Sequence, residues 1–114
     1  MSRVERSRDA GGWAVLAFTG ELDLAMVPAV REAADELVAA GRVHLVWDLS
    51  GVTFMDSAGL GVLVHTVRAA EARQGAVRLA AASAQVHRLL ELTGVHAVVD
   101  TYADVSAATE KDRG

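Results

Sequence analysis

The chain has 114 residues, a formal net charge of −4 and no cysteine. That is enough for one domain with a modest core, and it excludes disulfides, a thiol nucleophile and thiolate metal sites. About half of the residues are hydrophobic (52%) but only 4% are aromatic, so a globule packed from Val, Leu and Ala is expected rather than disorder. The acidic balance argues against direct DNA binding, which needs a basic stripe to neutralise phosphates. No apolar run approaches the ~18 residues of a membrane span. Met1 to Arg8 lacks a signal-peptide core, so a cytoplasmic chain without membrane insertion is expected.

Arg3 to Arg8 alternates Val and Ser with charge, the pattern of an exposed edge strand. Asp9-Ala-Gly-Gly12 is a turn. Trp13 to Thr19 is short, apolar and partly β-branched, so a strand paired with the first is predicted. Gly20-Glu-Leu-Asp-Leu-Ala-Met26 is a connection, and Pro28 suits a first helical turn. The helix then runs from Val27 to Ala40. Val27, Val30, Ala34, Leu37 and Val38 fall on one face, and Arg31, Glu32, Asp35 and Glu36 on the other. Gly41 is its stop. His44 to Asp48 has few polar side chains and reads as a central strand buried on both faces.

A short loop with Phe54, Met55 and Asp56 leads into a second helix, Ser57 to Arg73. Ser57 is placed at its N-cap, where a hydroxyl oxygen accepts from an unpaired amide. Gly59 and Gly61 are poor helix residues, each costing up to about 1 kcal/mol against Ala. Two of them in one turn point to something approaching the backbone. Leu60, Leu63, Val64 and Val67 form the expected core stripe, which leaves Val62 and His65 as candidates for an exposed face. Val77 to Ala81 is a strand. Ala84 to Thr93 is a helix, with Val86, Leu89 and Leu90 inward and Gly94 as stop. Val98 to Tyr102 is a last strand, Ala103 to Ala108 a final short helix, and residues 110–114 a frayed tail. The alternation predicts a single α/β domain over 1–114, with its core at about 3–109.

The residues of enzyme chemistry are not gathered. His44, His65, His87 and His96 sit on separate elements and make no metal-ligand spacing. There is no Gly-x-Ser-x-Gly elbow, no phosphate loop, and no base–orienter pair for Ser57. Gly59-x-Gly61 lacks the rest of a dinucleotide fingerprint. A non-enzyme without a cofactor is expected. Trp13 and Trp47 read as core or sheet-face residues. Asp23 and Asp56 read as turn formers that bond nearby amides. Phe54 and Met55 read as core anchors, and either one left exposed beside Ser57 would be an interface anchor.

Phe54-Met-Asp-Ser-Ala-Gly-Leu-Gly61 resembles the signature of the STAS domain, the fold of bacterial anti-sigma factor antagonists. Gly20-Glu21-Leu22-Asp23, just before the first helix, resembles a second element of that family. The resemblance spans about Arg3 to Thr109. It implies a mixed β-sheet with helices packed mainly on one face. It also implies that Ser57 is the phosphorylated residue and that Glu21, Asp23, Phe54, Met55, Asp56, Ala58, Gly59, Gly61, Val62 and His65 supply a partner-binding surface. Some relatives carry a second serine where this chain has Ala58, so Ser57 is the one hydroxyl at this helix start.

The implied partner is an anti-sigma factor serine/threonine kinase, which binds the ATP. The unphosphorylated domain would bind that kinase and release its sigma factor, phosphorylation would end the contact, and a serine phosphatase would reset it. Two other readings stay open. One is a scaffold subunit of a stress-signalling or lipid-transport complex; the other is a small-molecule sensor.

Overall fold

The longest strand, β3 (His44–Met55), is the axis on which the other elements are laid. The fold is seen in a computed structural model that describes residues 1–110. β1 (Arg3–Arg6) pairs antiparallel with β2 (Ala14–Leu22), while β3, β4 (Ala76–Ala80) and β5 (Asp100–Tyr102) follow in parallel, in the order β1-β2-β3-β4-β5. The helices are α1 (Val27–Ala39), α2 (Ser57–Glu71), α3 (Ala84–Thr93) and a single turn, α4 (Val105–Ala108).

Side chains alternate across a strand, and the central strands use both faces. Leu45, Trp47 and Leu49 of β3, with Leu16 and Phe18 of β2, face α1, α2 and α3. Val15, Val46 and Ala80 face the other way, where Ala108 of α4 covers them. The helices therefore lie mainly on one face, as the resemblance implies. Each fully buried Leu or Val here contributes about 1.5–3 kcal/mol relative to exposure. Trp47 is wholly buried against Phe18, with ring centroids 4.6 Å apart, and its indole N–H has no hydrogen-bond partner among the described residues. Trp13 is a sheet-face residue instead. The Arg78 guanidinium stacks between it and Tyr102, 4.3 and 5.1 Å from the ring centroids, and donates to the Ala108 carbonyl at 2.9 Å. That ties the short α4 to the sheet.

The first turn forms as expected, with Gly11 and Gly12 at positive φ and Ala10 bridged to Trp13. Asp9 in that turn pairs with Arg42 and Arg6. The hydrogen bond from Arg42 holds the Asp9 carboxyl below the usual carboxylate range.

Several boundaries differ from the sequence reading. The strand expected at His44–Asp48 runs on to Met55, and the one expected at Trp13–Thr19 runs on to Leu22. Ser50, Gly51 and Gly20 look like turn residues, but they sit at or beside two register shifts in the β2–β3 ladder. Such irregularities bend and twist a pair of strands without ending it. α2 stops at Glu71, and Gln74 takes φ 63° in the turn that follows. Residues 95–97 form a 3-10 turn, which shortens the last strand to Asp100–Tyr102, and Asp104 caps α4 by accepting from the Ala107 amide. Of the expected tail, residues 111–114 lie outside the described residues.

Gly75 sets where β4 begins. A Cβ there would stand 2.0 Å from the Val43 carbonyl oxygen, the oxygen that accepts from the Ala76 amide at 2.9 Å. Gly75→Ala is expected to cost about 1–3 kcal/mol, the usual cost of overpacking. Urea unfolding should show it as a lower midpoint at unchanged slope.

Candidate functional site

The carboxyl ends of β2 and β3 lie side by side, with Glu21 beside Phe54 and Leu22 beside Met55. Leu22 and Met55 point into the core and are buried. Glu21 is exposed, and Phe54 keeps 44% of its surface in solvent. Met55 is thus the core anchor of the two, and Phe54 is the apolar side chain left outside.

Asp56 follows, and it caps α2. Its φ and ψ are extended (−110° and −172°), and Oδ1 accepts from the amides of Ala58 (2.9 Å) and Gly59 (3.1 Å). Its own amide donates to the Leu22 carbonyl at 3.2 Å, which joins the helix start to the end of β2. The N-cap expected at Ser57 therefore sits one residue earlier. An ionised carboxylate is an acceptor twice as strong as a hydroxyl, and from Asp56 it reaches both open amides. Ser57 is the first helical residue. It is exposed, and among the described residues its hydroxyl has no hydrogen-bond partner.

The two glycines have different reasons to be there. A Cβ on Gly59 would meet the Leu22 carbonyl oxygen at 2.3 Å and Met55 Cγ at 3.1 Å, so close packing of α2 on the strand ends requires glycine. A Cβ on Gly61 would meet nothing within 4 Å, and the residue is exposed. Gly61 leaves bare backbone on the helix surface beyond Ser57. Ala58 between them is half-buried.

Val62 does not belong to an exposed face; only 3% of it is accessible. Sheet and α1 both cover α2, so its buried arc takes in Val62, Thr66 and Ala70 beside Leu60, Leu63 and Val67. Val64, expected in the core stripe, is half-buried. His65 is half-exposed but engaged, with Nε2 3.2 Å from Oδ1 of Asp35 on α1. That contact links the exposed edges of α1 and α2. Asp23 precedes a 3-10 turn, Leu24–Met26, yet its side chain caps nothing. Its carboxylate is half-buried and, among the described residues, without a hydrogen bond.

Two residues had no signal in the sequence. Leu24, in the turn after Asp23, is 72% exposed and adds an apolar side chain near α2. Gln85, in the first turn of α3, pairs its amide with the backbone of Met55: Met55 N–H donates to Oε1 at 3.0 Å, and Nε2 donates to the Met55 carbonyl at 2.8 Å. Among the described residues no group of three His, Asp or Glu could hold a metal ion, and no helix is long and apolar enough to cross a membrane.

An exposed hydroxyl stands at a helix start, with an acidic rim of Glu21 and Asp23 and two exposed apolar side chains, Leu24 and Phe54. Residues 3–108 match the STAS domain family. The anti-sigma F factor antagonist of Paenibacillus polymyxa is 32% identical over 101 residues, covering 87% of this chain and 86% of that one. The anti-sigma-B factor antagonist of Listeria monocytogenes is 35% identical over 81 residues, 71% of each chain. The crystal structure of an anti-sigma factor antagonist from Mycobacterium paratuberculosis superposes with a TM-score of 0.75 at 28% identity, over 95% of this chain and 89% of that one. The chain belongs to the STAS domain family.

Moving the cap to Asp56 changes what substitution does. Asp56→Ala is expected to cost about 1–2 kcal/mol. Ser57→Ala should stay within about 0.5 kcal/mol of wild type, because an exposed side chain with no partner is lost. Thermal melts of the two variants check this.

The glycines should separate in the same assay. Gly61→Ala is expected to stabilise by up to about 1 kcal/mol through helix propensity. Gly59→Ala should destabilise, because the Leu22 carbonyl occupies the space a methyl group needs.

Proposed function

We propose that the chain is an anti-sigma factor antagonist of the partner-switching kind. Unphosphorylated, it binds an anti-sigma factor serine kinase through the surface around Ser57, and that kinase lets go of its sigma factor. The kinase then phosphorylates Ser57 and the complex separates. A serine phosphatase removes the phosphate. Such a cycle belongs in the cytoplasm, where the transcription machinery is. The names of the matched relatives support the antagonist reading.

One observation carries the choice of acceptor: Ser57 is exposed and unpartnered while Asp56 does the capping. Phosphorylation then breaks no bond that holds the fold. In the transfer, Ser57 Oγ bonds to the γ-phosphorus of ATP held by the kinase. The bond to ADP breaks, and the hydroxyl proton goes to a base of the kinase.

The consequence is electrostatic. A phosphate adds about −1.5 to −2 charges at pH 7. The helix macrodipole favours negative charge at this end. The amides of Ala58 and Gly59 are already taken by Asp56, however, so the phosphate would face solvent and the partner. A surface fitted to a neutral hydroxyl would have to desolvate that charge without pairing it, which costs several kcal/mol. The contact is lost and the fold is kept.

The experiment combines labelling by an anti-sigma factor serine kinase and ATP, phosphopeptide mapping, calorimetric titration and melting curves. One phosphate per chain is expected, on Ser57, and none on Ser57→Ala, which should still bind the kinase. Ser57→Asp, or phosphorylation itself, should weaken binding at least about tenfold, ~1.4 kcal/mol. Stability should move by no more than about 1 kcal/mol. A phosphate mapped to Thr53, Ser50 or Ser83 overturns the choice of Ser57. Loss of binding through unfolding of the phosphorylated chain overturns the repulsion mechanism.

A further inference from the structure

β3 outruns its neighbour. Its last register partner in β4 is Ala80, opposite Asp48, yet β3 continues to Met55. On the β2 side the ladder goes on to Leu22 and Met55. On the other side, among the described residues, no strand is paired with this stretch, and the groups of Met55 that face that way are taken by a side chain. The Gln85 amide accepts from Met55 N–H at 3.0 Å and donates to Met55 C=O at 2.8 Å. Those are the two bonds that a residue of a further strand would make. A primary amide is the one neutral side-chain group that offers a donor and an acceptor in this spacing.

The position of Gln85 is itself fixed. Ser83 caps α3 by accepting from the Val86 amide at 3.3 Å, and Val86 and Leu90 are buried beneath the helix. The segment entering α2 is thus held from both sides: Met55 by Gln85, and Asp56 by the Leu22 carbonyl. Ser57 comes next and, among the described residues, its side chain makes no hydrogen bond, so its hydroxyl takes its place from the backbone that these contacts help to hold.

We infer that Gln85 is a positioning residue for Ser57, holding the Met55 backbone so that the hydroxyl meets the γ-phosphate in one geometry. The inference rests on the reading of Ser57 as phosphoacceptor. A phosphoryl group is transferred in line, so a wandering acceptor lowers the fraction of productive encounters. Gln85 does not touch the reacting atoms; it acts through Met55.

The test uses the full chain. Gln85→Met keeps the length and bulk of the side chain and removes both hydrogen bonds. Asp104→Ala, which uncaps α4 on the opposite face of the sheet, serves as the control for a general loss of stability. Amide hydrogen exchange should quicken at Met55, Ala58 and Gly59 in Gln85→Met, and stay at the wild-type rate at Val46 and Leu79. Labelling by an anti-sigma factor serine kinase and ATP should show kcat lowered about tenfold, equivalent to ~1.4 kcal/mol, with KM nearly unchanged. Asp104→Ala should be labelled like wild type.

If Gln85→Met is labelled on Ser57 with wild-type kcat and KM, the role of Gln85 is overturned and that of Ser57 stands. A fall in kcat shared equally by Asp104→Ala also overturns it, because loss of stability then explains both. If the wild type itself is not labelled on Ser57, the reading of the acceptor fails first and the role of Gln85 falls with it.

Discussion

The carboxylate of Asp56 closes the first turn of α2 while its backbone amide bonds the last carbonyl of β2, and the site depends on that one residue bridging two elements. A charged acceptor taking two amides is worth more than a neutral cap. It fixes the axis of α2 relative to the strand ends, which is why Gly59 can lie against the Leu22 carbonyl and why nothing larger fits there. With capping assigned to the carboxylate, Ser57 is free of structural duty. Its side chain can change without removing a bond that holds the helix start.

The same division appears along the strands. Met55 and Leu22 are buried and supply the anchor, while Phe54 and Glu21, one position earlier on each strand, face out. A period of two thus separates buried from exposed side chains within a pair of dipeptides. On the helix the separation is by arc: Val62 and Leu63 face inward, and Gly61 faces out with no side chain.

Much of the fold was legible in local pattern. α3 begins and ends where its amphipathic spacing and Gly94 place it, and α1 follows its apolar face to within one residue. The errors fall where polar or glycine residues sit inside strands. Ser50, Gly51 and Gly20 carry turn chemistry, and nothing in a short window shows that β2 and β3 share two register shifts that absorb them. Val62 failed for a related reason. A helix covered on two sides has a wider buried arc than one stripe, and the second cover, α1, is distant in sequence.

The elements and the Phe54–Gly61 motif could be read locally, because periodicity, caps and that motif all lie within short windows of the chain. The sequence reading put the N-cap of α2 at Ser57 rather than Asp56, since both are good capping residues by type. The choice between them is tertiary, made by the Leu22 carbonyl that accepts from the Asp56 amide. The tertiary structure alone brought Gln85, thirty positions away, to the open side of β3. A backbone group left without a neighbouring strand has to find a partner, and which side chain arrives is settled by how the helices pack on the sheet.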